Sequence, residues 1–218
     1  RRIVCLSNMK QLGMAKWMLV SDNDNNYLAT VTDAGQPYPL RMWVNEVPGE
    51  YSMEAMGDYV DGIDYGQKKL SSVWACPSNP ELSDVVTSLW TSQGTWTDTW
   101  YQYFGRIDKW EDLGAATHPD DLVANSPESD RLLMNEVTFR WWVNEYWTYN
   151  HGRGGGSSHQ LAVGDQGAVP VNFAGNNQLY GDGHGKWMTA PIDSFAITSP
   201  SQGYVLTWAV DYTFWIRN

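Results

Sequence analysis

The sequence predicts an α+β fold, in which one long N-terminal helix packs on an antiparallel β-sheet with long loop insertions. Three observations lead to this prediction. Apolar residues recur with helical spacing over residues 1–20. Later segments, such as 95–105, are rich in Thr and aromatic residues, as is typical of strands. Finally, Asp182-Gly183 separates two short apolar segments, which indicates a β-hairpin.

The predicted helix extends from Arg1 to about Val20. Arg1 and Arg2 lie at the positive end of its dipole, and no Ser, Thr, Asp or Asn precedes the first periodic residue as a cap. We therefore expect these residues to continue a helix whose earlier part is absent. The polar segment 21–26 should end the helix. The apolar stripe consists of Ile3, Leu6, Met9, Leu12, Ala15, Met18 and Leu19.

The composition indicates a single globular domain, with the helix in residues 1–27 and a head domain in residues 28–218. The chain has 14 Lys and Arg against 25 Asp and Glu, a net charge of −11. This balance argues against nucleic acid as a partner, because binding a polyphosphate requires clustered basic residues. No apolar run has the length needed to cross a bilayer. Contact with a membrane is therefore expected only through the absent segment before Arg1.

The head domain is expected to contain short elements separated by turns. Ser52 is the predicted N-cap of a short helix, and Pro77 and Pro80 make residues 76–80 a rigid turn. No structure is predicted for the aromatic run 139–149, and the glycine-rich segment 152–158 is expected to be a loop tip or hinge. The predicted elements are an extended segment at 38–44, helices at 52–60 and 81–90, strands at 95–105, 131–137 and 203–217, and the hairpin at 178–188.

Three motifs, taken together, resemble a known family. They are Arg1-Arg2 followed by Cys5, Asn8 and Lys10-Gln11-Leu12-Gly13; Cys76-Pro77-Ser78; and residues 180–187, YGDGHGKW, which contain Asp182-Gly183-His184. In this order and spacing the chain resembles type IV pilin-like subunits, or type II secretion pseudopilins. Within this family the chain is most similar to the planctomycete-like group, which has a prepilin processing-associated C-terminal domain. The motif of that domain is a His, then nine residues, then Asp-Gly. Here Asn172 stands where that His is expected, and His151 is its candidate counterpart.

The resemblance implies a pilin-like fold whose membrane-spanning half-helix precedes Arg1. It implies a structural subunit of an extracellular filament or a type II secretion-like apparatus, anchored in the inner membrane before assembly and located outside the cell or on its surface afterwards. The expected partners are other pilin-like subunits, and no catalysis is expected. The two cysteines permit one bridge, and the export context implied by the resemblance favours a Cys5–Cys76 disulfide over two buried free thiols.

No set of catalytic residues emerges from the sequence. His118, His151, His159 and His184 lack the spacing of zinc ligands. Two carboxylates, Glu136 and Glu145, are of the type that glycosidases pair, but nothing in the sequence places them together. The Asp182-Gly183-His184 motif is interpreted as a turn in preference to a metal pair or an acid–base couple.

Calcium is the one cofactor that the sequence suggests. Asp22, Asp24 and Asn26 alternate like the first ligands of a calcium loop. However, Tyr27 stands where such a loop requires Gly, so the segment is better explained as a helix end. Some pseudopilins that the chain resembles bind calcium in their C-terminal loops, which keeps calcium open as a ligand elsewhere.

The aromatic residues suggest a second function. The chain has 13 Trp, of which the seven between residues 90 and 147 are candidate ligand-binding residues: Trp90, Trp96, Trp100, Trp110, Trp141, Trp142 and Trp147. Such residues either form an unusually aromatic core or stack on sugar rings and anchor protein interfaces. The alternative function is therefore a cell-surface module that binds polysaccharide or a secreted protein.

Overall fold

The computed structural model describes residues 1–22, 30–33, 36–45, 52–80, 87, 90, 94–103, 132–141, 146–152, 158–161, 174–189, 195–197 and 204–208. Within these residues the protein has one long helix followed by antiparallel sheets, which confirms the predicted α+β class. Every strand pairing in this part of the chain is antiparallel.

The helix α1 extends over Arg2–Asp22, close to the predicted limits. One of its faces is buried, and Met9, Leu12 and Leu19 of the predicted stripe lie in the core. The prediction of which residues form the buried face was partly wrong. Ile3 and Met18 are exposed, whereas Asn8 and Lys16 are buried. No helix in the described ranges is both long and apolar enough to cross a membrane.

Strands and two 3-10 turns follow the helix in the described part of the chain. The turns are η1, Glu54–Met56, and η2, Ser72–Trp74. The strands are β1 (Thr30–Asp33), β2 (Gln36–Trp43), β3 (Ile63–Asp64), β4 (Lys69–Leu70), β5 (Trp96–Asp98), β6 (Tyr101–Tyr103), β7 (Leu132–Glu136), β8 (Thr138–Trp141), β9 (Tyr146–Tyr149), β10 (Ser158–Leu161), β11 (Asn176–Tyr180), β12 (Gly185–Met188), β13 (Phe195–Ile197) and β14 (Tyr204–Trp208). These strands form four sheets, with the orders β1-β2-β5, β10-β9-β8-β14-β13, β12-β11-β7-β6 and β3-β4.

The helix packs on the sheet that contains β11 and β7, as predicted for residues 131–137 and the hairpin. The absence of a side chain at Gly13 permits a close approach, because a Cβ there would lie 2.6 Å from Leu179 Cδ2. Leu12 and Leu179 are both buried in the core between helix and sheet. The chain reverses between β11 and β12 at residues 181–184, where Gly183 has a φ of +83°. This conformation favours glycine and explains why Asp-Gly indicated the turn.

Several predicted elements require correction. The helix predicted at 52–60 is only the 3-10 turn η1, whose N-cap is Met53 and not Ser52. Residues three apart eclipse in a 3-10 turn, so that Met53 and Met56 can both be buried. The strand predicted at 95–105 is divided between β5 and β6, which belong to different sheets. The aromatic run 139–149, for which no structure was predicted, contains strands β8 and β9, which pair with each other.

Other predictions fall partly or wholly on residues outside the described ranges. The helix predicted at 81–90 is described only at Thr87 and Trp90, both helical, and the loop at 152–158 only at its two ends. The strand predicted at 203–217 is confirmed for Tyr204–Trp208.

Candidate functional site

A buried polar cluster lies where α1, β7 and the turn after η2 meet. It consists of Cys5, Cys76, Glu136 and His151, and we call it the Cys–Glu–His cluster. The ligand-type atoms of these four side chains all lie within 4.8 Å of one another. Three of the residues are at most 1% exposed, and His151 is 6% exposed.

Glu136 ends β7, and its carboxylate is held by the neighbouring strand β11. The Asn177 backbone N–H donates to Glu136 Oε2 at 2.7 Å, and the Asn177 side-chain amide donates to Oε1 at 3.0 Å. The other amide hydrogen of Asn177 is donated to the Arg2 carbonyl in the first turn of α1, at 3.0 Å. Asn177 therefore links the buried carboxylate to the start of the helix.

His151 faces the same carboxylate from the segment after β9. Its Nε2 lies 2.9 Å from Glu136 Oε1 and 3.9 Å from Cys76 Sγ. Both oxygens of Glu136 accept N–H groups of Asn177, so an N–H on His151 Nε2 would fit this contact as a further donor. The imidazole ring also contacts Trp187 edge-on, at 5.4 Å between centroids.

Cys5 and Cys76 form the predicted disulfide, which joins α1 to the turn after η2. The Asn8 side chain reinforces this junction by donating to the Ser72 carbonyl at 2.8 Å and to the Ala75 carbonyl at 3.0 Å. Both hydrogens of one buried amide are thus used within one helical turn of the bridge. The start of α1 is attached to the head by a covalent bond and by side-chain hydrogen bonds.

Aromatic side chains surround the cluster. Tyr101 lies opposite Glu136 on β6, and its pKa is raised by burial and, to a smaller extent, by the charge of Glu136. At the edge, the Arg2 guanidinium lies 4.5 Å above the ring of the half-buried Trp187. In this conformation the walls leave the cluster almost no contact with solvent.

A second buried ionisable group, Lys16, lies farther along α1. Its side chain is fully buried, and its Nζ has no hydrogen-bond partner within the described part of the chain. Burial lowers the pKa of this amine well below 10.5. Nζ lies 3.3 Å above the ring of Tyr103. That contact favours a charged amine by about 0.5–2 kcal/mol, whereas burying an unpaired charge costs several kcal/mol, so the neutral form is favoured.

The hairpin motif is a surface turn, as interpreted from the sequence. The backbone N–H of His184 donates to Asp182 Oδ1 at 2.9 Å, and this bond, together with the His184 side chain, lowers the pKa of the exposed Asp182 carboxyl. His184 also stacks on Tyr180, with 4.4 Å between ring centroids. Both Asp182 and His184 are about half exposed, and neither belongs to the Cys–Glu–His cluster.

Two of the seven candidate ligand-binding tryptophans are not available for binding. Trp90 is 1% and Trp100 is 2% exposed, and both belong to the core, so the prediction is wrong for them. The Trp100 indole donates to the Asn79 carbonyl at 2.8 Å, which satisfies its polar edge inside the protein. Trp96 is half-buried. Trp110 and Trp142 lie outside the described residues, and only the backbone is described for Trp141 and Trp147.

The calcium prediction rests mostly on residues that the structure does not describe. Asp22 is the last residue of α1 and is exposed, and it accepts a hydrogen bond from the Tyr59 hydroxyl at 2.9 Å. Asp24 and Asn26 lie outside the described residues, as do Glu145, Asn172 and His118. Calcium at this position remains a prediction.

The sequence did not predict the pairing at the centre of the cluster. Glu136 was considered beside Glu145, and His151 as the counterpart of a family histidine and as one of four histidines without zinc-ligand spacing. Their contact depends on the pairing of β7 with β11 and on the path of the chain after β9, which no local pattern specifies. A charged residue at the end of an otherwise buried strand was the available signal.

Comparisons with known proteins leave the family open. The chain matches no protein-family model, no curated protein and no solved structure. The resemblance to pilin-like subunits therefore rests on its motifs, and the function is a proposal.

Proposed function

We propose that this protein is a pilin-like structural subunit of an extracellular filament or a type II secretion-like apparatus. Its role is assembly without catalysis, its partners are other pilin-like subunits, and it resides on the cell surface or outside the cell. The observation that best supports this proposal is the attachment of α1. The helix lies on β11 and β7, and the disulfide and Asn8 fix its first turns to the head.

The outer face of α1 supports a role in assembly. Ile3 is 84% exposed, Met14 59% and Met18 51%. Spacings of 11 and 4 residues place these three side chains on one side of the helix, because 3.6 residues make a turn. Val4, 49% exposed, lies at the margin of this outer face. An apolar face of this kind is suited to packing against another helix.

The burial of the Cys–Glu–His cluster is consistent with a non-catalytic role. Glu136 is 0% and His151 6% exposed, so in this conformation a substrate would find almost no accessible surface on either side chain. The alternative role of a Trp-rich binding module has less support, because Trp90 and Trp100 are part of the core.

The proposal requires an apolar segment encoded before Arg1, with a processing site, which the upstream gene sequence would reveal. The contacts of α1 can be tested in the native host with the full-length protein. Both native cysteines are in the disulfide, so Met14→Cys adds a single thiol on the outer face. Under mild oxidation it should give covalent dimers when the upstream segment is present and none when it is deleted.

Lys69→Cys, at an exposed position on β4, is the matched control and should give much less dimer. The isolated chain should be monomeric or weakly self-associating. If deletion of the upstream segment changes neither localisation nor crosslinking, the subunit proposal fails. A glycan array would then test the binding-module alternative.

A further inference from the structure

We propose that the Cys–Glu–His cluster binds one Zn²⁺ ion when Cys5 and Cys76 are reduced. Two thiolates, an imidazole and a carboxylate are a donor set that zinc accepts. The disulfide occupies the two sulfur donors, so the oxidised chain lacks half of this site. The site would thus exist in the chain before its disulfide forms or after the disulfide is reduced.

The positions of the donor atoms fit this assignment. In a tetrahedral zinc site, metal–ligand distances of about 2.0–2.3 Å separate the ligand atoms by roughly 3.3–3.8 Å. The four donors of the cluster already lie within 4.8 Å of one another. The Cα atoms of Cys5 and Cys76 are 5.3 Å apart, and cleavage of the sulfur–sulfur bond leaves each thiol free to rotate about its Cα–Cβ bond. Small side-chain rotations can therefore complete the tetrahedron.

The groups behind the donors favour binding. Asn177 holds the carboxylate of Glu136 through both its backbone and its side chain. His151 already directs Nε2 toward both Glu136 and Cys76. Such supporting contacts orient metal ligands and raise affinity. A divalent cation would also compensate the charge of the buried Glu136 carboxylate.

The burial of the donors couples binding to folding. Cys5 belongs to α1, whereas the other three donors belong to the head. The ion would enter before the helix docks, and it would then hold the helix in the place where the disulfide holds it later. A second, external disulfide can then oxidise the site. The two zinc-bound thiolates lose two electrons and form the Cys5–Cys76 bond, and Zn²⁺ leaves. The external disulfide takes up these two electrons and two protons from solvent and becomes two thiols.

The test is zinc titration of the chain after reduction by a phosphine. The disulfide gains two electrons and two protons, and the phosphine becomes its oxide with oxygen from water. We expect one Zn²⁺ per reduced chain and none per oxidised chain. Co²⁺ in place of zinc should give the visible absorption of a tetrahedral thiolate complex.

The variants His151→Gln and Glu136→Gln keep both cysteines and remove one other donor. Each should bind zinc at least about tenfold more weakly, whereas His184→Gln, at the exposed hairpin, should bind like the native chain. Near-ultraviolet circular dichroism follows the fold, and a reduced chain that has lost its fold should regain it with zinc. Equal binding by all variants, no binding by the reduced chain, or a reduced chain that zinc fails to refold would each overturn the proposal.

Discussion

Replacement of Lys16 by Met should stabilise the protein. The amine of Lys16 is fully buried without a hydrogen-bond partner in the described ranges, and Met fills a similar volume without a polar atom. Burying an unpaired polar group costs about 1–3 kcal/mol in proteins. At neutral pH the buried amine must also lose the proton that it carries in the unfolded chain, so we expect the free energy of unfolding to increase by at least about 1–3 kcal/mol.

The same substitution should change the pH dependence of stability. Burial lowers the pKa of Lys16 in the folded protein below its unfolded value of 10.5. Between the lowered pKa and 10.5 the unfolded chain binds one more proton than the folded chain, so the free energy of unfolding rises with pH in this window. Below the lowered pKa the amine is protonated in both the folded and the unfolded chain, and its contribution no longer changes with pH. The advantage of Lys16→Met should therefore shrink as the pH rises from 7 toward 10.5.

Urea unfolding at pH 7 and at pH 10, followed by tryptophan fluorescence, measures both effects. Lys10→Met is the matched control, because Lys10 is exposed on the same helix. When the two variants are compared, the contribution of all other titrating groups to the pH dependence of stability cancels. If Lys16→Met were destabilising relative to Lys10→Met, or if its advantage did not change with pH, the assignment of a buried neutral amine would be wrong.

Three further predictions concern the junction of α1 and the hairpin. Asn8→Asp replaces the two hydrogen bonds that the amide donates by a carboxylate that faces the same two carbonyl oxygens. It should lower the free energy of unfolding by about 2–4 kcal/mol. An unchanged midpoint in urea titrations would contradict these contacts. Gly175→Ala should lower the free energy of unfolding by at least about 2 kcal/mol in thermal unfolding. The reason is that Gly175 has a φ of +138° and that an added Cβ would clash with the Met188 carbonyl oxygen. A variant with full stability would exclude this backbone conformation. The double variant Cys5→Ser/Cys76→Ser opens the loop that the disulfide closes over a separation of 71 residues. Its free energy of unfolding, measured with denaturant in the absence of a reductant, should fall by up to about 4 kcal/mol. A decrease below about 1 kcal/mol would mean that the helix docks without the bridge.

The sequence predicted the elements whose signals are local. The helix limits, the strand at β7 and the hairpin turn at Gly183 follow from periodicity and turn chemistry, and the structure has all three. The helix at Ser52 failed because a cap residue alone does not make a helix. Only a three-residue turn is needed there to bury the two methionines.

Long-range pairing explains what the sequence did not predict. Lys16 and Asn8 occupy the buried side of α1 although their residue types usually mark a solvent face, and only the position of the head against the helix makes them internal. The contact between Glu136 and His151 likewise depends on how separate segments are brought together. Of the Cys–Glu–His cluster, only the disulfide was predicted, because two cysteines allow one intramolecular pairing and the export context implied by the resemblance favours a bridge over free thiols.

The disulfide also determines how the protein responds to tension. A pull on the N-terminal end of the chain enters at Cys5 and passes through the sulfur–sulfur bond directly to Cys76. The rest of α1, β1, β2 and both 3-10 turns lie within the bridged segment and bear none of that covalent load. With a separation of 71 residues and about 3.4 Å per extended residue, roughly 240 Å of chain stays locked under force and is released only by reduction.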